Sequence, residues 1–345
     1  MTLTASWQSP SNIALVKYWG KHGIQLPRNP SLSFTLSVCR TEMKMEVAFN
    51  SPTPGLIVHY EGQHKPSFEP KIKSFFQRLS DRFPWLQTSS VFIDSTNTFP
   101  HGAGIASSAS ALSAMALCLS DIHAQVVQKP LESDPQWLQE VSRIARLGSG
   151  SASRSVFPVA SVWGYSPGIT GSSDEYAIPW QDNIAPIFYD YQDTILIVSA
   201  SEKSVSSTMG HSMMNDLAYA STRYEQAGKN ILSLVEIMRT GTDLEAFISV
   251  CESEALQLHA LMMSGYKPFI LMEPNTIAII KKIWQFRSET KIPVCFTLDA
   301  GPNVHLLFPK IYQQEVEQWI TAELTKFCAD GVYISDHAGA GPSRI

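Results

Sequence analysis

The sequence predicts a protein of mixed helix and strand, built as one large or two medium domains. Three observations carry this reading. Residues 31–37 alternate strictly between polar and apolar, the period of a half-buried strand, whereas 215–238, 243–263 and 274–287 repeat their apolar residues at helical spacing. The 345 residues, 44% hydrophobic and 17% charged, can bury a large core and describe a packed chain. An apolar strand at 194–199 follows a loop-rich stretch and marks where a second domain would open.

Composition also excludes. Net charge is −5 and no block of Lys and Arg stands out, so neither nucleic acid nor an anionic membrane is the expected partner. A small anionic substrate needs only a few local cations. The five cysteines (Cys39, Cys118, Cys251, Cys295, Cys328) are odd in number, widely spaced, and lack C-x-x-C or zinc spacing, which predicts buried free thiols in a reducing cytoplasm. No apolar run approaches the ~20 residues of a membrane span, and the first residues lack the pattern of a secretory leader.

Taken in order, a short strand at 13–16 runs into Lys17-Tyr18-Trp19-Gly20-Lys21. Two lysines and a tyrosine beside a glycine suit a phosphate or carboxylate, although a strand end with snorkelling lysines has the same composition. Strands are expected at 31–37, 42–49 and 56–60, an amphipathic helix at 71–82 (Ile72, Phe75, Phe76 and Leu79 on one face), and a strand at 89–95. Residues 99–111 then pass through Gly102 and Gly104 into Ala106-Ser107-Ser108 and a helical run. Strand, glycine loop and helix N-terminus form a phosphate-binding layout, because free N–H groups and the helix dipole favour an anion there. Close packing of small residues at a helix start reads equally well, and neither common phosphate-loop pattern fits.

A helix at 135–147 ends in a second Gly/Ser loop, 148–155, whose Arg154 a plain hinge would not need. A strand follows at 159–165, then a loop. Hydroxyls at 201–208 precede a helix near Met209. Glu254, Ala255, Leu258 and His259 share a helix face, with His259 read as packed or hydrogen-bonded. Residues 293–308 form strand, turn and strand, with Asp299 at the turn a candidate base or the start of an Asx turn. A final helix is expected at 311–328 and a last strand at 331–335.

Together these segments are specific. Pro100-x-x-x-Gly104-Ile105-Ala106-Ser107-Ser108-Ala109 resembles the ATP phosphate loop of the GHMP kinase superfamily, with Ile105 in place of the usual leucine. Asn12-Ile13-Ala14-x-Val16-Lys17-Tyr18-Trp19-Gly20-Lys21, Ser31-Leu32-Ser33-x-Thr35-Leu36, the Gly148 to Ser155 loop, Val205-Ser206-Ser207 and Asp299-Ala300-Gly301-Pro302-Asn303-Val304 resemble, in matching order, the mevalonate diphosphate decarboxylase family within it. Thr208 stands where some bacterial members carry an arginine.

The resemblance implies an α+β, two-lobed GHMP kinase-like fold with the active site in the cleft, an N-terminal lobe at 1–190 and a C-terminal lobe at 191–345. It implies that ATP phosphorylates the 3-hydroxyl of mevalonate 5-diphosphate, and that loss of phosphate and carbon dioxide gives isopentenyl diphosphate. By the same resemblance, Asp299, Lys17 and Ser207 are catalytic. Asn12, Tyr18, Lys21, Ser149, Ser151 and Arg154 bind the substrate. Gly102, Gly104, Ala106, Ser107 and Ser108 bind ATP, with Mg²⁺ held through the phosphates rather than by protein ligands. A homodimer is expected. The alternatives are a decarboxylase of mevalonate 5-phosphate, a mevalonate 3-kinase and, more remotely, a non-catalytic ligand sensor.

Overall fold

The computed structural model describes residues 1–100, 105–201 and 207–345, without the side chains of residues 207 and 208. Strand β1 (Thr2–Val16) leads into a small hairpin of β2 (Lys21–His22) and β3 (Leu26–Pro27), and the chain returns as β4 (Ser31–Ala48), antiparallel to β1. Both long strands are longer than their sequence patterns suggest. β1 continues through Pro10 because a register shift there leaves room for a residue with no ladder N–H. β4 joins the expected strands at 31–37 and 42–49. The N–H groups at the apparent break are satisfied from far away: the Asp336 carboxylate accepts from Ser37, Val38 and Cys39 at 2.7–2.8 Å.

β5 (Gly55–Tyr60), β6 (Gln63–His64), helix α1 (Glu69–Arg78) and β7 (Ser90–Asn97) follow, with β7 antiparallel to β4 and parallel to β5. Helices α2 (Ser107–Val126) and α3 (Trp137–Gly148) cover the sheet, and β8 (Ala160–Trp163) and β9 (Ala177–Pro179) extend it beside the first half of β4. The eight-stranded sheet packs Met45, Val47 and Ile93 against Phe75 of α1 and Leu117 of α2, all at or near zero exposure. The helix expected at 71–82 begins two residues earlier and ends at Arg78.

A second sheet holds β10 (Gln192–Leu196). It is followed by α4 (Ser207–Met213), α5 (Ala220–Thr240), α6 (Leu244–Ser264) and α7 (Pro274–Thr290), then β11 (Cys295–Thr297) and β12 (Val304–Phe308). After α8 (Gln313–Trp319) come β13 (Tyr333–His337) and β14 (Ser343–Arg344). The second sheet is antiparallel, in the order β11-β12-β10-β13. The helix expected across 311–328 is regular only to Trp319, then widens into a π turn and a 3-10 turn. Thr321 and Thr325 donate to the carbonyls of Glu317 and Thr321 at 2.9 and 3.0 Å, a back-bonding that distorts a helix. β14 goes home to the first sheet, pairing with β1 at Trp7 and Gln8.

Between the sheets lies a shared apolar core in which Ile13, Leu15 and Phe34 of β1 and β4 meet Phe188, Tyr191 and Phe247. All five cysteines are free and buried, as their spacing predicts. No helix among the described residues is long and apolar enough to cross a membrane.

Candidate active site

The end of β1 is the hub. Asn12 lies where β1 shifts register against β4. It donates from Nδ2 to the Ser151 carbonyl (3.1 Å) and to Ser155 Oγ (2.8 Å), and its Oδ1 accepts from Nε and Nη2 of Arg154, both at 3.2 Å. The third side of the Arg154 guanidinium donates to Ser31 Oγ at 2.6 Å, and the group lies 5.8 Å above the Trp163 ring. Arg154 is 3% exposed, and no carboxylate pairs with it directly among the described residues. Burial pulls it down to about 10, with Asp299 and Tyr18 opposing. A buried cation whose direct partners are neutral keeps charge that an anion can satisfy.

Five residues on, Lys17 leaves the ladder and becomes 2% exposed. Its Nζ stands 3.2 Å from Asp299 Oδ1. Burial draws the ammonium below its ordinary range, and Asp299 pulls it back. Asp299 follows β11 in the second sheet, so the pair joins the two halves of the chain. The Asp299 side chain keeps 27% exposure.

Tyr18 packs edge-on against Trp163 at 4.7 Å, and its buried hydroxyl has no hydrogen-bond partner among the described residues. Burial pushes that phenol well up, so it stays a donor. Gly150 allows this approach: a Cβ there would lie 2.6 Å from Trp163 and 3.0 Å from the Tyr18 hydroxyl. The hydroxyls of Ser149 and Ser151 face each other at 3.3 Å around it.

Lys21 reaches Gln25 at 3.2 Å, and its ammonium is drawn down by burial and then by Arg78. Lys71 donates to Ser108 Oγ at 3.1 Å and is lowered by burial and by Lys21. These cations border the N-terminus of α2, which Ser107 and Ser108 open. Ala106 takes a left-handed backbone there (φ 46°, ψ 41°), a conformation that costs about 1–2 kcal/mol in a residue with a Cβ. A cavity of about 220 Å³ adjoins this helix start, lined by Val58, Phe68, Ile93, Asn97, Lys71 and Ser108 among others.

The structure thus gathers Asn12, Lys17, Tyr18, Ser149, Ser151, Arg154 and Asp299 by direct contacts or shared neighbours, and Ala106, Ser107 and Ser108 at the adjoining helix start. Gly102 and Gly104 lie outside the described residues. So does the side chain of Ser207, whose backbone opens α4. Sequence reasoning missed Lys71 and His211. His211, on α4, accepts from the Gly20 N–H at Nδ1 (3.0 Å) and lies 4.4 Å from the Tyr18 ring and 4.7 Å from the Trp19 ring. Burial, then Lys21 and Arg154, pull it to about 3, so it is neutral. Neither residue belongs to a motif; only its neighbours in space give it meaning.

Comparison with known proteins agrees with this geometry. Residues 9–176 match the family described as the diphosphomevalonate decarboxylase-like N-terminal domain, and residues 194–337 match the mevalonate 5-diphosphate decarboxylase C-terminal domain. The chain is 30% identical to the diphosphomevalonate decarboxylase of Gibberella zeae over 87% of its own length and 79% of that protein. With the enzyme of Aspergillus fumigatus the identity is 29%, covering 88% and 76%. Its fold is similar to the mevalonate diphosphate decarboxylase structure from Staphylococcus aureus, with a TM-score of 0.83 at 27% identity, covering 100% of this chain and 98% of that one. A solved complex of MDDEF with MVAPP, AMPPCP and magnesium aligns with a TM-score of 0.82 at 25% identity, covering 100% and 99%.

Proposed function

The chain belongs to the diphosphomevalonate decarboxylase family, and from that premise we propose which of its residues carry the reaction. It is an ATP-dependent carboxy-lyase of the mevalonate pathway, acting on mevalonate 5-diphosphate, with ATP and Mg²⁺ as its cofactors. The 3-hydroxyl takes the γ-phosphoryl group of ATP. Departure of that phosphate together with carbon dioxide leaves isopentenyl diphosphate.

The observation that carries the assignment is the contact of the buried Lys17 with the part-exposed Asp299 at 3.2 Å, near an Arg154 guanidinium whose direct partners are all neutral. A tertiary alcohol is a weak nucleophile, so alignment and charge stabilisation have to do most of the work. Asp299 receives the hydrogen bond of the 3-hydroxyl, as base or as orienting acceptor. Lys17 offsets charge on the oxygens around the transferred phosphoryl. Arg154, held by Asn12, takes the substrate's anionic groups together with Lys21, Tyr18, Ser149 and Ser151. The amides of α2, Ser107 and Ser108 hold the ATP phosphates beside Ala106, and Gly102 and Gly104 are assigned to ATP by the family resemblance alone. The cavity beside Phe68 and Asn97 fits the nucleoside. Mg²⁺ would be held through the ATP phosphates, and Ser207, whose backbone opens α4, is assigned to the transferred group by the family resemblance.

Several cations and neutral donors converge on the substrate half, which favours the 5-diphosphate over the 5-phosphate. The lobe boundary is proposed at residue 190, the site in the cleft, the assembly a homodimer and the location the cytoplasm. Asp299→Asn tests the assignment. Turnover should fall by at least about 1,000-fold while ATP binding, read by nucleotide fluorescence, stays within about twofold. A near-normal rate would remove Asp299 from its role.

A further inference from the structure

The reaction as assigned leaves a fully buried cluster unused. Glu254, on α6, is 0% exposed, and Arg223, on α5, is 4% exposed. They form a two-pronged ion pair, Nη1 to Oε1 at 2.9 Å and Nη2 to Oε2 at 2.5 Å, and Asn230 donates to Oε1 at 2.5 Å. Such a pair is a poor stabiliser in itself, since removing two charges from water offsets most of their attraction. Its remaining contacts point elsewhere. Glu254 Oε2 accepts from the main-chain N–H of Lys17 at 2.8 Å, and Arg223 Nη2 donates to the Lys17 carbonyl at 3.2 Å. Lys17 is the first residue beyond β1, so these bonds replace the strand ladder it has left.

The same helix reaches the other half of the pair. Five residues on, about 7.5 Å along α6, His259 donates from Nε2 to the main-chain carbonyl of Asp299 at 3.1 Å. Helix α6 therefore touches the backbones of both Lys17 and Asp299, which come from different sheets. Other ties between the sheets, Thr297 to the Ala14 carbonyl at 3.4 Å and Asp336 to β4, do not hold these two residues themselves.

We propose that Glu254 and His259 are positioning residues, and that α6 fixes the Lys17–Asp299 alignment by holding each residue through its main chain. This rests on the assignment of Lys17 and Asp299 to the reaction. Glu254 and His259 are 0% and 1% exposed and act through the main chain of Lys17 and Asp299, so loss of either should slow the chemical step and spare binding.

The test uses the full-length protein with Mg-ATP and mevalonate 5-diphosphate. E254Q, which turns one carboxylate oxygen into a donor facing the donors of Arg223 and Asn230 or of Lys17, and H259L should each lower kcat by about 10- to 100-fold, with KM for both substrates within about twofold. H259Q, which keeps a donor near Nε2, should recover most of the rate. Because the effect runs through the Lys17–Asp299 pair, E254Q placed in a D299N background should cost less than about twofold more in single turnover. Wild-type kcat in folded E254Q and H259L, or a full multiplicative loss in the double variant, overturns the proposal while D299N remains slow. Near-normal turnover in D299N overturns the underlying assignment instead, and the proposal with it. If E254Q does not unfold cooperatively, H259L against H259Q decides: equal rates in the two overturn it.

Discussion

At the scale of the residue, the protein keeps charge where water is scarce. An ammonium that is 2% exposed, as in Lys17, persists only beside a carboxylate, and Asp299 supplies it. Arg154 is buried as deeply, and its direct partners are all neutral, which supports the proposal that it takes the substrate's anionic groups. These residues were legible because each sits in a short, unusual run such as Lys17-Tyr18-Trp19-Gly20-Lys21. His211, Lys71 and Glu254 were not, because a single polar residue on a helix has no local pattern and acquires its partner only on folding. His211 makes a prediction at this scale. Its folded pKa of about 3 lies below the ordinary 6.5, so the unfolded chain takes the proton first. Its neutral form contributes fully above about pH 6.5, and that stability is lost towards pH 3 at up to ~1.4 kcal/mol per pH unit. His211→Asn, which keeps an acceptor for the Gly20 N–H, should lose stability less steeply than wild type between pH 6 and 4 in urea titrations. Parallel slopes would contradict this.

At the scale of the element, periodicity was legible and continuity was not. The alternation at 31–37 and the helical spacing of α5, α6 and α7 survived folding. The joining of 31–37 to 42–49 into one strand depends on Asp336, nearly 300 residues away in sequence, which no local window contains. The Gly/Ser loop shows the same dependence. Its serines and arginine signalled anion binding, but the reason for Gly150 is the Trp163 and Tyr18 rings that close over it. Gly150→Ala should destabilise the fold by about 1–3 kcal/mol through overpacking. It should also raise KM for mevalonate 5-diphosphate several-fold more than KM for ATP, since Tyr18 is displaced on the substrate side. Equal KM changes for the two substrates would count against placing Tyr18 there.

At the scale of the whole molecule, the two sheets are tied across the site rather than merely adjacent. Asp336 in β13 takes four main-chain N–H bonds: Ser37, Val38 and Cys39 in β4 and its own neighbour His337, all within 2.8 Å. The tail then carries β14 back onto β1, where Arg344 stacks over Trp7 at 4.9 Å and pairs with Asp121 at 3.0 Å. Asp336→Ala leaves one buried N–H, of Cys39, and three part-buried ones without their acceptor and should cost about 2–5 kcal/mol in denaturant unfolding. A loss under 1 kcal/mol would mean that the sheets are held chiefly by the shared apolar core. This joining is what lets Lys17 and Asp299, one from each half of the chain, stand 3.2 Å apart, at the junction proposed both to phosphorylate and to decarboxylate. The most direct measurement incubates the protein with Mg-ATP and, separately, mevalonate, its 5-phosphate or its 5-diphosphate, and counts ADP and carbon dioxide together. Equal amounts of both, fastest with the 5-diphosphate, are the predicted result; ADP without carbon dioxide, or no turnover of the 5-diphosphate, would contradict it.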